Sequence, residues 1–286
     1  MVVIAKHAPL LEKLGLSTLD QVKAFQGELV KDHRGRRDIL RIRAIDADGA
    51  GRVLFLKRNW KPYRKDGLRS LLRHGRVWSQ SRQEWENMRA LEAAGLIVAG
   101  LVAYGEDCGP LWERFSFLIT EAATGGQTVD QFIATCRDQA LRLRVFEALA
   151  RTIRKMHDAG LASPDLFTRH VFVDPDRDVP EFCLIDMARL DRHRCVSRAL
   201  RARDLAALNL TAPLRFVSAR ERLRFLHAYA GSVDRRFVWR IRIRANRLLR
   251  TRRKFLDFGK GSVNSNVVLG GGLQRRKAST HDAEAD

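Results

Sequence analysis

Four polar residues stand where a side chain could do chemistry. Lys57 follows the apolar run Val53-Leu54-Phe55-Leu56, and Glu84 falls inside a helical pattern. Asp165 sits in a loop after Pro164, and Asp186 directly follows Phe182-Cys183-Leu184-Ile185. A lysine ending a strand can hold an anion, and an acid on a helix can orient that lysine through an ion pair. One carboxylate can hold a hard cation, which takes oxygen ligands. Another can accept the proton of an attacking hydroxyl. Each residue also has a plain structural reading. Lys57 can be a solvated strand end and Glu84 a surface residue of its helix. Asp165 can be a turn residue or an N-cap. Asp186 carries the strongest individual signal, because a carboxylate after a buried strand often sits in a cleft.

The elements that must position these residues follow from patterning. Residues 1 to about 30 read as an amphipathic helical lead-in, with N-cap chemistry at Ser17, Thr18 and Asp20. A turn at His33-Arg34-Gly35-Arg36-Arg37 leads to an alternating strand over Ile39–Ile45. A hairpin turn at Asp46–Gly51 returns the chain through Val53–Leu56, with Lys57 at the strand's end. Residues 58–76 are basic and irregular. Trp78, Trp85, Met88 and Leu91 then share a helical face that stops at Gly95. Val102–Gly105 and Phe115–Thr120 read as two more strands, and Thr124-Gly125-Gly126 as a connection. Beyond it, Leu141, Val145, Leu149, Ile153 and Met156 form one buried helical stripe. His170–Val173 and Phe182–Ile185 form a hairpin that can bring Asp165 and Asp186 to the same end. Strands first and helices after predict an α+β chain of two lobes, with the junction near residues 120–126.

Composition narrows the class. The chain has 286 residues, 45% of them apolar, which supports a sizeable core and excludes disorder for most of the length. Lys+Arg number 53 against 33 Asp+Glu, a net charge of +20 that draws anionic partners. Nucleic acid, an anionic membrane surface, and a phosphorylated or acidic substrate all satisfy that field. Cys108, Cys136, Cys183 and Cys195 are scattered without a C-x-x-C, so neither a zinc site nor a disulfide framework is expected and a reducing cytosol is the default. No signal peptide is expected at Met1–Lys13. The longest apolar stretch, Gly95–Ala103, is far short of the roughly 20 residues that cross a bilayer. The arginine-rich segment Arg235–Lys254 has Phe237, Ile241, Ala245, Leu248 and Leu249 at helical spacing and predicts a basic amphipathic helix. Residues 259–286 are expected to be disordered.

The order of parts adds weight that no part has alone. A strand lysine, a helix acid, a loop acid and a post-hairpin acid follow one another as in protein-kinase-type phosphotransferases. The chain resembles the lipopolysaccharide kinases of the Kdo kinase and heptose kinase group from about Gly15 to Ala230. The residues that carry the resemblance are Gly27–Lys31 leading into His33–Arg37, then Phe55-Leu56-Lys57-Arg58, and Glu84-Trp85-Glu86-Asn87 before Ala94-Gly95-Leu96. They continue with Met156-His157-Asp158-Ala159-Gly160 before Asp165-Leu166 and His170, Leu184-Ile185-Asp186 before Arg189, and Arg203–Leu208 before Arg220–Leu226 and Tyr229.

This resemblance implies a protein-kinase-like two-lobed fold with an N-lobe antiparallel sheet plus helix and a mainly helical C-lobe. It implies transfer of the ATP γ-phosphoryl group, with Mg2+, to a heptose or Kdo hydroxyl of the lipopolysaccharide inner core. The place implied is the cytoplasmic face of the inner membrane, held peripherally. By carry-over, Lys57 binds ATP phosphates, Glu84 pairs with it, Asp165 is the catalytic aspartate, and Asp186 holds Mg2+. His170 stands where protein kinases have a metal-ligating asparagine and is carried as a further metal ligand. Gly35 lies in the turn over the phosphates, Arg36 and Arg37 add charge there, and Thr120 and Glu121 fall where adenine meets backbone groups. Asp204, at the start of the next helix, braces the catalytic loop. The implied divisions are an N-lobe over 1–120, a C-lobe over 121–234, a basic helix over 235–258 and a tail over 259–286.

Departures from the wider kinase pattern are Ser163-Pro164 before Asp165, Asp186-Met187-Ala188 in place of Asp-Phe-Gly, and the lack of a G-x-G-x-x-G. They leave open a phosphotransferase with another acceptor, or a non-catalytic kinase-like binding protein. The implied partners are the anionic glycolipid of the inner core and an anionic membrane surface, on which the 235–254 helix could lie; the alternative is a helix packed on the C-lobe with a solvated basic face. Nucleic acid is disfavoured, because stacking aromatics beyond Trp239 are not evident in the arginine-rich segment.

Overall fold

In the computed structural model, residues 1–251 are described except 47, 61, 63–69, 73–74 and 213–215. Alternating apolar residues in the first half build a six-stranded sheet. In chain order its strands begin with β1 (Val2–Val3), β2 (Glu28–Asp32), β3 (Arg37–Ile45) and β4 (Gly51–Asn59). After β5 (Ile97–Val98), which belongs elsewhere, come β6 (Leu101–Cys108) and β7 (Glu113–Glu121). The spatial order is β1-β6-β7-β4-β3-β2, with every pairing antiparallel. β3 and β4 stay in unbroken register from Arg37 opposite Asn59 to Ile45 opposite Gly51. Lys57 therefore lies inside β4, opposite Ile39 and Leu118, and not at a strand end.

The lead-in is more broken than its periodicity suggests. β1 pairs with β6, a 3-10 turn covers Ala5–His7, and two short helices cover Ala8–Lys13 and Leu19–Ala24. Thr18 and Gln21 close a capping box on the second of these. β2 then occupies the sheet edge. Its mostly exposed residues leave little alternation to detect.

A helix over Gln80–Ala93 packs across the sheet through Trp85, Met88 and Leu91, with the Trp85 and Tyr104 rings 5.0 Å apart. Trp78 lies just outside it, because Ser79 caps the helix by accepting the Arg82 N–H. Gly95 ends the turn at φ +70°, close against Lys155.

The second half is mainly helical, with helices over Val129–Thr135, Gln139–Asp158, Arg198–Leu210, Ala219–Ala230 and Arg235–Thr251. A small sheet joins β8 (Gln127–Thr128), β10 (Val171–Asp174) and β11 (Glu181–Leu184) to β5, whose pairing with β11 is parallel. Between them, β9 (Leu161–Ala162) pairs with β12 (Asp191–Arg192). A 3-10 turn at Thr168–His170 precedes β10, so His170 sits before the strand. Together these parts form the expected α+β, two-lobed arrangement.

The Arg235–Thr251 helix buries Phe237, Ile241 and Ala245 against the Arg198–Leu210 helix, and most of its arginines face outward. Those three residues are thus committed to protein, while Trp239 and Ile243 of the same helix stay exposed. An apolar cavity of about 870 Å³ lies between this helix and Phe146, Leu149, Leu205 and Leu208. Residues 252–254, and the disorder expected over 259–286, lie outside the described residues. No helix among the described residues is long and apolar enough to cross a membrane.

Candidate active site

The sheet and the Gln80–Ala93 helix hold Lys57 and Glu84 face to face. Lys57 Nζ donates to Glu84 Oε1 at 2.6 Å, and Glu84 is almost wholly buried. Arg37, from β3, lies 3.7 Å from Glu84 Oε2. Asp186 Oδ1 lies 3.9 Å from both Lys57 and Arg37. The Asp186 backbone has φ +57°, a left-handed conformation that a non-glycine residue holds only where its surroundings enforce it. Part of that enforcement is visible: Asn87 Nδ2 donates to Met187 O at 2.9 Å, and Ile185 N donates to His170 O at 3.0 Å.

His170 links the two aspartates. Its Nδ1 lies 3.0 Å from Asp165 O, and its Nε2 lies 3.6 Å from Asp186 Oδ2. Burial pushes the imidazole pKa down, against the pull of Asp186, so the ring is neutral at pH 7. Arg169 Nε donates to Nε2 at 3.1 Å, which makes Nδ1–H the donor to the Asp165 carbonyl. The Asp165 carboxylate faces Arg189, whose Nη1 lies 3.0 and 3.1 Å from its two oxygens. Behind the loop, the fully buried Asp204 accepts the Ser163 N–H at 2.6 Å and Arg203 Nε–H at 2.7 Å, and lies 3.2 Å from His157 Nε2. Asp204 stands in the middle of the Arg198–Leu210 helix, not at its start.

A cleft of about 230 Å³ runs between the sheet and the helical lobe. Lys31, His33, Arg37, Lys57, Glu84, Arg169, His170 and Asp186 line it, together with Thr120 and Glu121 of the junction. Asp165 is not part of that lining and connects to it through His170. Gly35 also falls outside it: its N–H is donated to Asp32 Oδ1 at 2.9 Å, so it does not face an anion in the cleft. At the junction, the Glu121 and Ala122 N–H groups go to Gly100 O and Val53 O. The Glu121 carboxylate meets Arg52 at 3.4 Å.

Loss of water works to raise the Asp186 pKa, but Lys57, His170, Arg37 and Arg169 outweigh it and hold the carboxyl well below the usual range. Asp186 therefore stays ionised throughout the neutral range. Mg2+ takes one or two carboxylates together with substrate phosphates, and Asp186 suits that donor set. Among the described residues there is no cluster of three or more His, Cys, Asp or Glu side chains able to form an all-protein metal cage.

Burial also lowers the pKa values of His7 and His33, as it does that of His170. Below the ordinary value of 6.5 the unfolded chain binds protons that the folded chain refuses. Stability is thus fully present above that value and is lost as pH falls through it toward the lower folded values. The melting temperature is expected to drop between pH 7 and pH 5, and His170→Asn to flatten part of the drop. A pH-independent difference between the two proteins in thermal melts would contradict this.

Sequence reasoning passed over Arg169, and quoted Lys31, Asn87 and Arg189 without a role. Their roles rest on contacts between distant segments. Arg189 had a signal in its place three residues after Asp186.

Comparison with known proteins converges on one family. The model of the lipopolysaccharide kinase (Kdo/WaaP) family matches residues 20–229. The lipopolysaccharide core heptose(I) kinase WaaP of Pseudomonas aeruginosa is 28% identical over 225 residues, covering 75% of this chain and 81% of its own. Two proteins of the same name from Escherichia coli are 24% and 26% identical, covering 75% and 78% of this chain and 82% and 85% of theirs. A solved structure of WaaP in complex with acyl carrier protein aligns with a TM-score of 0.61 at 26% identity, over 90% of this chain and 96% of that one. The chain belongs to the lipopolysaccharide kinase (Kdo/WaaP) family and is an ATP-dependent sugar kinase of protein-kinase-like fold.

Proposed function

We propose that the enzyme transfers the γ-phosphoryl group of ATP to a heptose hydroxyl of the lipopolysaccharide inner core. The observation that carries this reading is the Lys57–Glu84 ion pair of 2.6 Å set 3.9 Å from Asp186 in one cleft. In this reading Lys57 binds the nucleotide phosphates and Glu84 fixes its direction. Asp186 holds Mg2+, which when bound neutralises charge on the phosphates. Asp165 accepts the proton of the sugar hydroxyl and orients its oxygen in line. We assign His170 to the geometry of the loop, since its Nε2 already accepts from Arg169 and imidazole is a poor Mg2+ ligand. Adenine lies against Thr120 and Glu121. The relatives named as heptose(I) kinases favour heptose over Kdo as the acceptor.

The chain's charge of +20 suits an anionic glycolipid and a peripheral place at the cytoplasmic face of the inner membrane, with the outward arginines of the Arg235–Thr251 helix toward the lipid headgroups. An acyl carrier protein is a further partner in this reading. WaaP has been solved with one, and the apolar cavity beside the same helix has room for an acyl chain.

The test is transfer of labelled phosphate from ATP to phosphate-poor inner-core lipopolysaccharide, with and without Mg2+ and acyl carrier protein. Label is expected on heptose, only with Mg2+. Label on a core that carries Kdo but no heptose would replace the acceptor. Mg2+-dependent ATP turnover without label on either core would remove lipopolysaccharide as the substrate.

A further inference from the structure

The hairpin between β2 and β3 borders the cleft through Val30, Lys31, His33, Arg37 and Ile39, and three N–H groups of its turn are already engaged. Arg34 and Gly35 both take left-handed conformations, at φ 55° and 65°, and fold the turn onto itself. His33 N–H goes to Arg37 O at 2.8 Å, Gly35 N–H to Asp32 Oδ1 at 2.9 Å, and Arg36 N–H to His33 O at 3.1 Å. These three amide donors, including that of the glycine, are engaged inside the hairpin. What the hairpin turns toward the cleft instead is side chains, among them Lys31 and Arg37.

From the other lobe, Arg169 lines the same cleft, its guanidinium 4.9 Å over the Phe167 ring. Lys31, Arg37, Lys57 and Arg169 all act on Asp186 electrostatically, and Glu84 is the other acid that Lys57 and Arg37 meet there among the described residues. Of the other two acids of the lining, Glu121 meets Arg52, and Asp130 accepts from Thr128 Oγ1 and keeps its charge. Loss of water, and then the neighbouring Arg169 and Arg37, push the Lys31 ammonium pKa down against the pull of Asp186. Four cationic side chains from both lobes thus face one cleft, an arrangement suited to an anion. Arg37 Nε, moreover, is buried and has no hydrogen-bond partner among the described residues.

We propose that Arg37 and Arg169, one from each lobe, form with Lys31 a side-chain clamp on the nucleotide phosphates, replacing the backbone cradle of a glycine-rich loop. This rests on the phosphotransferase reading of the cleft. The planar fork of arginine suits it to bidentate grip of phosphate oxygens, and two forks from opposite walls make phosphate binding a contact that joins the lobes. Lys57 alone is a single point charge.

The experiment compares binding of ATP and of adenosine, by calorimetry at fixed Mg2+, in wild type, Arg37→Ala, Arg169→Ala and Lys31→Ala. Each arginine variant is expected to weaken ATP by about 10- to 100-fold, the range for hydrogen bonds to charged groups. Adenosine, lacking phosphates, keeps its affinity and reports that the cleft is folded. Arg37→Lys and Arg169→Lys retain the charge toward Glu84 and Asp186, and carry the test if an alanine variant loses its fold; they are expected to fall between wild type and alanine. Unchanged ATP affinity in both arginine variants, or an equal loss for ATP and adenosine, would overturn the clamp while leaving the kinase reading intact. A wild-type protein that binds neither compound would overturn both.

Discussion

Replacing Asp165 by asparagine is expected to slow phosphoryl transfer by about 10²- to 10⁴-fold, the usual contribution of a positioned general base. ATP affinity is expected to hold, because Asp165 lies outside the cleft that would take the nucleotide. Fold stability is expected to hold as well. The partner of the carboxylate, Arg189, is more than half exposed, and ion pairs with such a partner contribute at most about 1 kcal/mol. Asparagine keeps the size of the side chain and its reach to the acceptor, so the loss isolates proton acceptance. Steady-state transfer rates beside calorimetric ATP binding make the measurement. A variant with wild-type turnover removes Asp165 from the chemistry, whatever becomes of the rest of the site.

The second large effect falls on stability. Asp204 has no exposed surface, and three groups converge on it: the Ser163 N–H, the Arg203 guanidinium and His157. Alanine there leaves a buried amide and a half-buried guanidinium without their shared acceptor. Truncating one partner of a buried charged pair typically costs about 3–5 kcal/mol. Asp204→Ala is expected to lose that much in chemical denaturation. Whatever protein remains folded should also transfer phosphate slowly, since Ser163 fixes the approach to Asp165. Asp204→Asn, which keeps one oxygen acceptor, should fall between. An unchanged unfolding midpoint in the alanine variant would show that the loop does not depend on this brace.

How much of this was legible beforehand divides along physical lines. The strands β3, β4 and β7, the Gln80–Ala93 helix and the helix through Met156 announce themselves, because one buried face per element leaves a period of two or of about three and a half residues. Lys57 and Asp186 follow buried runs and can be read locally. β1 and β2 cannot. β1 has two residues, and β2 is an edge strand with little buried surface, so pairing partners far along the chain define both. The same holds within the site. Glu84 meets Lys57 from 27 positions away and Arg189 meets Asp165 from 24, distances at which no local pattern operates. Gly35 shows the reverse error. A glycine in a turn near phosphates suggests an open amide, whereas the aspartate three residues before it has already taken the proton donor.

The tethering of the Gln80–Ala93 helix bears on how such an enzyme is controlled. Glu106 and Glu113, from the sheet, accept the Ser79 and Gln80 N–H groups at its N-terminus, and Asn87 ties its middle to the backbone after Asp186. Swinging this helix outward would break all of these bonds at once and strand buried carboxylates. An idle form with Lys57 and Glu84 apart is therefore costly. The pairing of Lys57 with Glu84 is thereby built into the packing of the helix, and parting them requires moving the helix as a whole.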